Sequence, residues 1–239
     1  MENSLNIRVS TASLLKYALP TILSNLFMNI YSIVDQLFVS NLLGIDALSA
    51  VSIAWPLLSI TLAVGVMIST GGCAFVSNQM GAGDNEKARE NFSFFTLFSV
   101  VVSAVFCVAG IIFREPILYA MGADDALYPL CEAYAIPIFM LIPFGMVSMV
   151  LQMFFVAAGK PGLGFWLSIA GGVTNMVLDY VLIAVIPLGI AGAAYASAAG
   201  YILQSVIALV FFFTNRKGML YFVRPKFNGK ALLKACSNG

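Results

Sequence analysis

The chain has 239 residues, 61% of them hydrophobic and 10% charged, and its 12 basic and 11 acidic residues leave a net charge of +1. A soluble domain of this size carries about a quarter charged residues, so one aqueous core cannot hide this much apolar surface, and the solvent must be lipid. The even charge balance argues against a nucleic-acid partner. The absence of histidine excludes His-held zinc or iron and any Ser-His or Cys-His nucleophilic pair.

In chain order, six apolar segments are each long enough to cross a bilayer, which takes about 20 residues. They fall at roughly 14–41, 48–79, 92–113, 132–158, 162–187 and 190–214. The first is long and lacks a small-residue cleavage site, so it reads as a span rather than a cleaved signal. The second is long for a single crossing and predicts a tilt or an interfacial turn. Pro20, Pro56, Pro137 and Pro143 lie inside segments and predict kinks, which helices in lipid tolerate when neighbours satisfy the freed carbonyls.

Short connections separate the spans. QMGAGDNEKAREN, 79–91, reads as a surface turn entering an interfacial helix, and REPILYAMGADDALYP, 114–129, as a solvated tip carrying Asp124 and Asp125. Cys73, Cys107, Cys131 and Cys236 are scattered, with no metal-ligand spacing. Cys73 and Cys107 read as small hydrophobes. After Phe213 the chain turns basic and shows no further span. The expectation is an all-α polytopic membrane protein: one six-span lobe over 1–218, then a basic segment over 219–239.

Basic residues orient the lobe. With the N-terminus inside, Arg8, Lys16, Lys87, Arg89, Lys160, Arg216, Lys217, Arg224, Lys226, Lys230 and Lys234 fall on the cytoplasmic side, and only Arg114 falls outside. That asymmetry follows the positive-inside rule and predicts both termini in the cytoplasm of a plasma (inner) membrane. Attraction of the terminal lysines to anionic lipid is a secondary effect. NFS at 91–93 matches a glycosylation pattern, but on the cytoplasmic side it is discounted.

Two acids remain well inside the apolar segments, Asp35 and Asp179. Asp35 stands about nine residues before Gly44 and Asp179 about eight before Pro187, which puts each roughly 12–14 Å below its helix end. Ser197, about seven residues into the sixth span, reaches the same depth from the opposite direction. Asn175 lies one turn from Asp179 on the same face. A lone buried polar group can serve as glue between helices. Two carboxylates at one depth, with an amide and a hydroxyl, instead form a set of hard oxygen donors suited to a proton or a small cation. Gly192, Ala196 and Gly200 recur every four residues, a smooth stripe that predicts close approach of the backbone bearing Ser197 to a neighbouring helix.

These segments, in this order, resemble the N-terminal half of a multidrug and toxic compound extrusion (MATE) transporter. The resemblance is carried by ALPTILSNLFMNIYSIVDQLFVSNLLG, by QMGAGDNEKAR, by AAGKPG at 157–162, and by NMVLDYVLI followed by PLGIAGAAYASAAG. It implies a Na⁺- or H⁺-coupled antiporter, not an enzyme, that exports organic and often cationic amphiphiles and needs no cofactor beyond the coupling ion. By motif, Asp35 matches the first-span aspartate of the family's ion site, and Asn175 and Asp179 match its fifth-span pair. Ser197 stands where a hydroxyl residue occurs in the sixth span, so a Na⁺ would be held by Asp35, Asn175, Asp179 and Ser197. Pro20 matches a first-span proline associated with bending. Family members have twelve spans in two lobes, so the resemblance further implies a second six-span lobe as partner, either a missing C-terminal half or a second copy.

Other functions were weighed against the same residues. A lipid-linked saccharide flippase of the same superfamily would favour arginines at mid-membrane depth to hold a pyrophosphate, and all five arginines lie at or beyond the membrane edges. An intramembrane aspartyl protease would typically carry GxGD, where this chain has IVDQ and VLDY. A non-transporting scaffold subunit, whose acids only pack, stays open.

Overall fold

A computed structural model describes the backbone of residues 11–238 and the side chains of residues 18–237. Arg8 lies outside the described residues, as does the side chain of Lys16. Among the described residues eight α-helices follow one another: α1 (Thr11–Leu43), α2 (Ile45–Gly81), α3 (Asn85–Ile112), α4 (Arg114–Ala120), α5 (Tyr128–Ala157), α6 (Pro161–Asp179), α7 (Ile190–Thr214) and α8 (Gly229–Asn238). A π-helical stretch, Tyr180–Val185, extends α6. Six of the helices are long and apolar enough to cross a membrane, and no strand occurs among the described residues. The molecule is a multi-pass, all-helical membrane protein.

The spans alternate in direction. The starts of α1, α3 and α6 therefore share one end of the bundle with the ends of α2, α5 and α7, and α8 lies there too. This is called the terminal end below. At the opposite, far end, α1 and α2 are parted by the single residue Gly44, whose φ of 90° suits glycine and few other residues. The 37-residue α2 would be about 55 Å long, well beyond the ~30 Å hydrocarbon core. It runs as one helix through Pro56, with no break along its length.

α5 is the hub, packed against α7, α2 and α3, while α6 packs against α7 and α1. Toward the terminal end the core is aromatic. Phe92 meets Phe154 edge-on with ring centroids 4.8 Å apart, and also touches Phe212 and Phe222. Toward the far end the core mixes aromatic Tyr134 and Phe139 with smaller side chains, among them Val39, Ala50, Ile183 and Ala194. α1 is the outlying span, with Leu26, Ile30, Ile33 and Leu37 each more than half exposed along its length.

Two connections differ from their sequence reading. The 114–129 connection is not only a solvated tip: α4 folds there, Leu118 is fully buried, and Arg114 pairs with Glu132 at 2.6 Å. Beyond α7, residues 219–228 form a strap across the first turns of α3. Arg89 donates to the Met219 carbonyl at 3.0 Å and lies over the Tyr221 ring; Val223 N–H donates to Ser93 Oγ; Lys226 pairs with Glu90. The strap leads into α8, which lies on α2 with Ala231 and Ala235 buried. Asn91, the residue of the glycosylation pattern, is buried and donates to Gln79 Oε1.

Candidate functional site

α1, α6 and α7 bring the four residues singled out in the sequence to one place. Asp179 is the last α-helical residue before the π-helical stretch, and it is 0% exposed. Asp35 faces it across the α1–α6 contact, close enough for one carboxyl to hydrogen-bond the other when a proton is shared. Asn175, one turn from Asp179 and 2% exposed, donates its side-chain amide to Ser197 Oγ at 3.1 Å. Pro20 lies inside α1, four turns from Asp35, and its carbonyl accepts from Ser24 Oγ at 2.9 Å.

Small residues make this convergence possible. A Cβ at Gly200 would stand 2.8 Å from the Gly171 carbonyl oxygen, so α6 and α7 meet backbone to backbone beside Asn175. A Cβ at Gly192 would stand 2.7 Å from the Leu182 carbonyl, which extends the same close approach up to the π-helical stretch. Gly172 lets the rings of Phe27 and Tyr31 close onto α6 from the α1 side. The Gly192–Ala196–Gly200 stripe thus does what its spacing predicts.

The electrostatics are unusual for a packed interior. Asp35 Oδ1, Asn175 Oδ1 and both Asp179 carboxylate oxygens are buried with no hydrogen-bond partner among the described residues. An unmet buried acceptor costs about 1–3 kcal/mol, and more when charged, so four in one place call for something to satisfy them. Among the described residues, no three His, Cys, Asp or Glu side chains cluster into a transition-metal site. Two carboxyls with neutral amide and hydroxyl oxygens suit instead a shared proton or a small hard cation.

Three tyrosines near the pair, and a glutamine beside Asn175, were not singled out in the sequence. Tyr31 lies one turn before Asp35 on α1, and its hydroxyl is within reach of that of Tyr201 on α7. Tyr134 of α5 is buried beside both acids. Tyr31, Tyr201, Asn175, Ser197 and Gln204 line a cavity of about 10 Å³, roughly the room one water needs. Spacing could have found two of them, since Tyr31 and Tyr201 each stand four residues from a singled-out residue on the same face. The π-helical stretch after Asp179, a geometry frequent at functional sites, has no signal in YVLIAV.

A family model described as MatE matches residues 20–181. The multidrug export protein MepA of Staphylococcus saprophyticus is 25% identical over 215 residues, covering 89% of this chain and 48% of the relative. That of Staphylococcus haemolyticus is 24% identical over 222 residues, covering 93% and 49%. The chain therefore spans about half the length of the curated relatives it matches. A solved structure of MATE in complex with MaD3S superposes with a TM-score of 0.89 at 19% identity, over 94% of this chain and 51% of that one. An outward-facing multidrug resistance MATE family transporter of the MOP superfamily superposes at 0.86 and 19% identity, over 92% and 49%. At that identity the superpositions establish a shared fold.

Proposed function

Because this chain belongs to the MatE family of transporters, we propose that it forms the ion-coupling lobe of a multidrug exporter driven by Na⁺ or H⁺. One observation carries the reading. Asp35 and Asp179, from different helices, meet in the bundle interior among buried oxygens that no group among the described residues satisfies. The names of the relatives, multidrug export proteins, support organic compounds as cargo.

The mechanism follows from the cost of those oxygens. With a proton or cation between them, the two carboxyls attract, and α1 packs against α6 as seen here. Without it they repel, and α1 is driven from α6, with Pro20 as the point of bending. A substrate that binds the second packing better than the first then exchanges for the ion, because each ligand shifts the same two-state equilibrium. The basic side chains described at the terminal end support a cytoplasmic orientation for that end, in a plasma (inner) membrane. Alternating access needs a second six-span lobe, and the twofold length of the relatives supports reading this chain as one half of a twelve-span protein. An even span count suits such a parallel repeat, since a second copy enters the membrane the same way up. Arg89, Arg114, Arg216 and Arg224 lie in the first turns of helices or in connections, which weighs against a pyrophosphate-carrying flippase.

The test is efflux of an organic cation from proteoliposomes that hold this lobe together with its second lobe, under imposed Na⁺ or H⁺ gradients. Asp179→Asn should abolish gradient-driven efflux, and the gradient that drives the parent protein identifies the ion. Coupled efflux that survives Asp179→Asn overturns the assignment.

A further inference from the structure

The acid pair does not end the polar side chains of the lobe. From Asp179 toward the terminal end, one face of α6 continues through Asn175, Gly171, Ser168 and Gly164, in steps of four, four, three and four residues. These are the positions at which α6 would otherwise bury large apolar groups between helices. Two of them are glycines, and each of the two lies against a glutamine.

At Gly171 a Cβ would collide with the side-chain amide of Gln204 from α7. Gln204 is 7% exposed and lines the small cavity together with Asn175. At Gly164 a Cβ would stand 3.5 Å from Gln152 Cγ of α5, and the Gln152 amide donates to Ser168 Oγ and, at 3.4 Å, to the Gly164 carbonyl. Gly171 thus leaves the space in which the Gln204 amide lies along α6, whereas at Gly164 the glutamine is in ordinary contact. Between Asn175 and Gln204 runs the small cavity already described, and the unpartnered Oδ1 of Asn175 belongs to a residue on its wall. Asp179 to Gly164 is roughly 22 Å along the axis at 1.5 Å per residue, most of the ~30 Å hydrocarbon core. Gly164 lies within one turn of the first residue of α6.

We propose that the coupling ion leaves the Asp35–Asp179 pair along this seam toward the terminal end, with Gln204 as its first relay and Gln152 as its second. The inference rests on the ion-coupling reading of the acid pair. For Na⁺, the amide oxygens stand in for lost water ligands at successive rungs. For H⁺, the proton leaves the carboxyl along waters of the seam, which the glutamines orient while staying unprotonated throughout. Glutamine suits both tasks, since its amide offers oxygen and N–H without a charge that would trap the ion.

Gln204→Met keeps the volume and removes the amide; Gln204→Glu keeps the oxygens. In two-lobe proteoliposomes, Gln204→Met should slow gradient-driven efflux by about tenfold or more, the effect of one lost hydrogen bond to a charged group. The ion concentration that half-maximally raises the melting temperature should stay within about twofold of the parent, because a relay acts on rate and not on equilibrium binding. Gln204→Glu, whose carboxylate would hold the ion, should not recover the rate, and Gln152→Met should repeat the defect at the second rung. Parent-like efflux in both methionine variants overturns the seam, and so does a rate defect matched by weakened ion-dependent stabilisation, which assigns the glutamines to packing. Asp179→Asn is run alongside: coupling that survives it sinks the site and the seam together, whereas coupling lost there but intact in Gln204→Met sinks the seam alone.

Discussion

Gly200→Ala tests whether the site is built on the backbone contact between α6 and α7. The added Cβ would sit 2.8 Å from the Gly171 carbonyl oxygen, where ordinary contact begins at 3.4 Å. The obstacle is backbone, so it cannot swing aside, and the helices must part by about 0.6 Å at that level. The Asn175–Ser197 hydrogen bond, 3.1 Å long, would stretch to about 3.7 Å, beyond useful hydrogen-bonding distance. Overpacking of this kind costs about 1–3 kcal/mol, and alanine returns up to about 1 kcal/mol of helix propensity over glycine. A net loss of about 1–2 kcal/mol should remain. It is read by thermal unfolding in lipid nanodiscs, together with weaker ion-dependent stabilisation as Asn175 loses its anchor. Gly162→Ala is the control: its Cβ would meet nothing within 4 Å, so that variant should be neutral or slightly stabilised. If the two alanine variants melt together with equal response to the ion, the close approach is not what builds the site.

Three further outcomes follow from the packing at the terminal end. Gly71→Ala would drive a Cβ into the Ala235 carbonyl, so hydrogen exchange over 229–238 should rise as α8 lifts from α2. Phe92→Ala should cost about 2–3 kcal/mol in unfolding: the cavity and dispersion share is kept, whereas the transfer share shrinks because lipid tails are as apolar as the core. The Lys226 ammonium is raised above its ordinary value by its hydrogen bond to Glu90. Its contribution to holding the strap is therefore complete below the ordinary lysine range, about pH 10.4, and is lost only as pH rises through the higher folded value. Hydrogen exchange over 219–228 should be flat from pH 7 to about pH 10 after correction for intrinsic rates, and should then increase; Lys226→Met should remove that increase.

What could be read from the sequence, and what could not, divides along physical lines. Span number rests on composition, which is local, and the six crossing helices follow from it. The depth match of Asp35, Asp179 and Ser197 rests on a constant rise per residue, and it brings together side chains far apart in the chain. Facing is harder. In a helix apolar all round, the pattern that marks a buried face in water is missing, because lipid and core accept the same side chains. Only the polar exceptions reveal the face, and among them the charged ones stand out most. Gln152 and Gln204 are uncharged and far apart in sequence, so nothing local joins them. Gly171 acquires meaning only when the glutamine opposite it is seen. The strap and α8 show the converse. Taken as a topology signal, KALLKA is a run of two lysines, yet Ala231 and Ala235 stand four apart on one face, the spacing of a docked helix. The docking partner, Gly71, offers no side chain by which to be recognised. In this lobe the informative positions are the smallest ones: wherever a glycine faces another helix, the next question is which polar group or backbone has moved into the space it leaves.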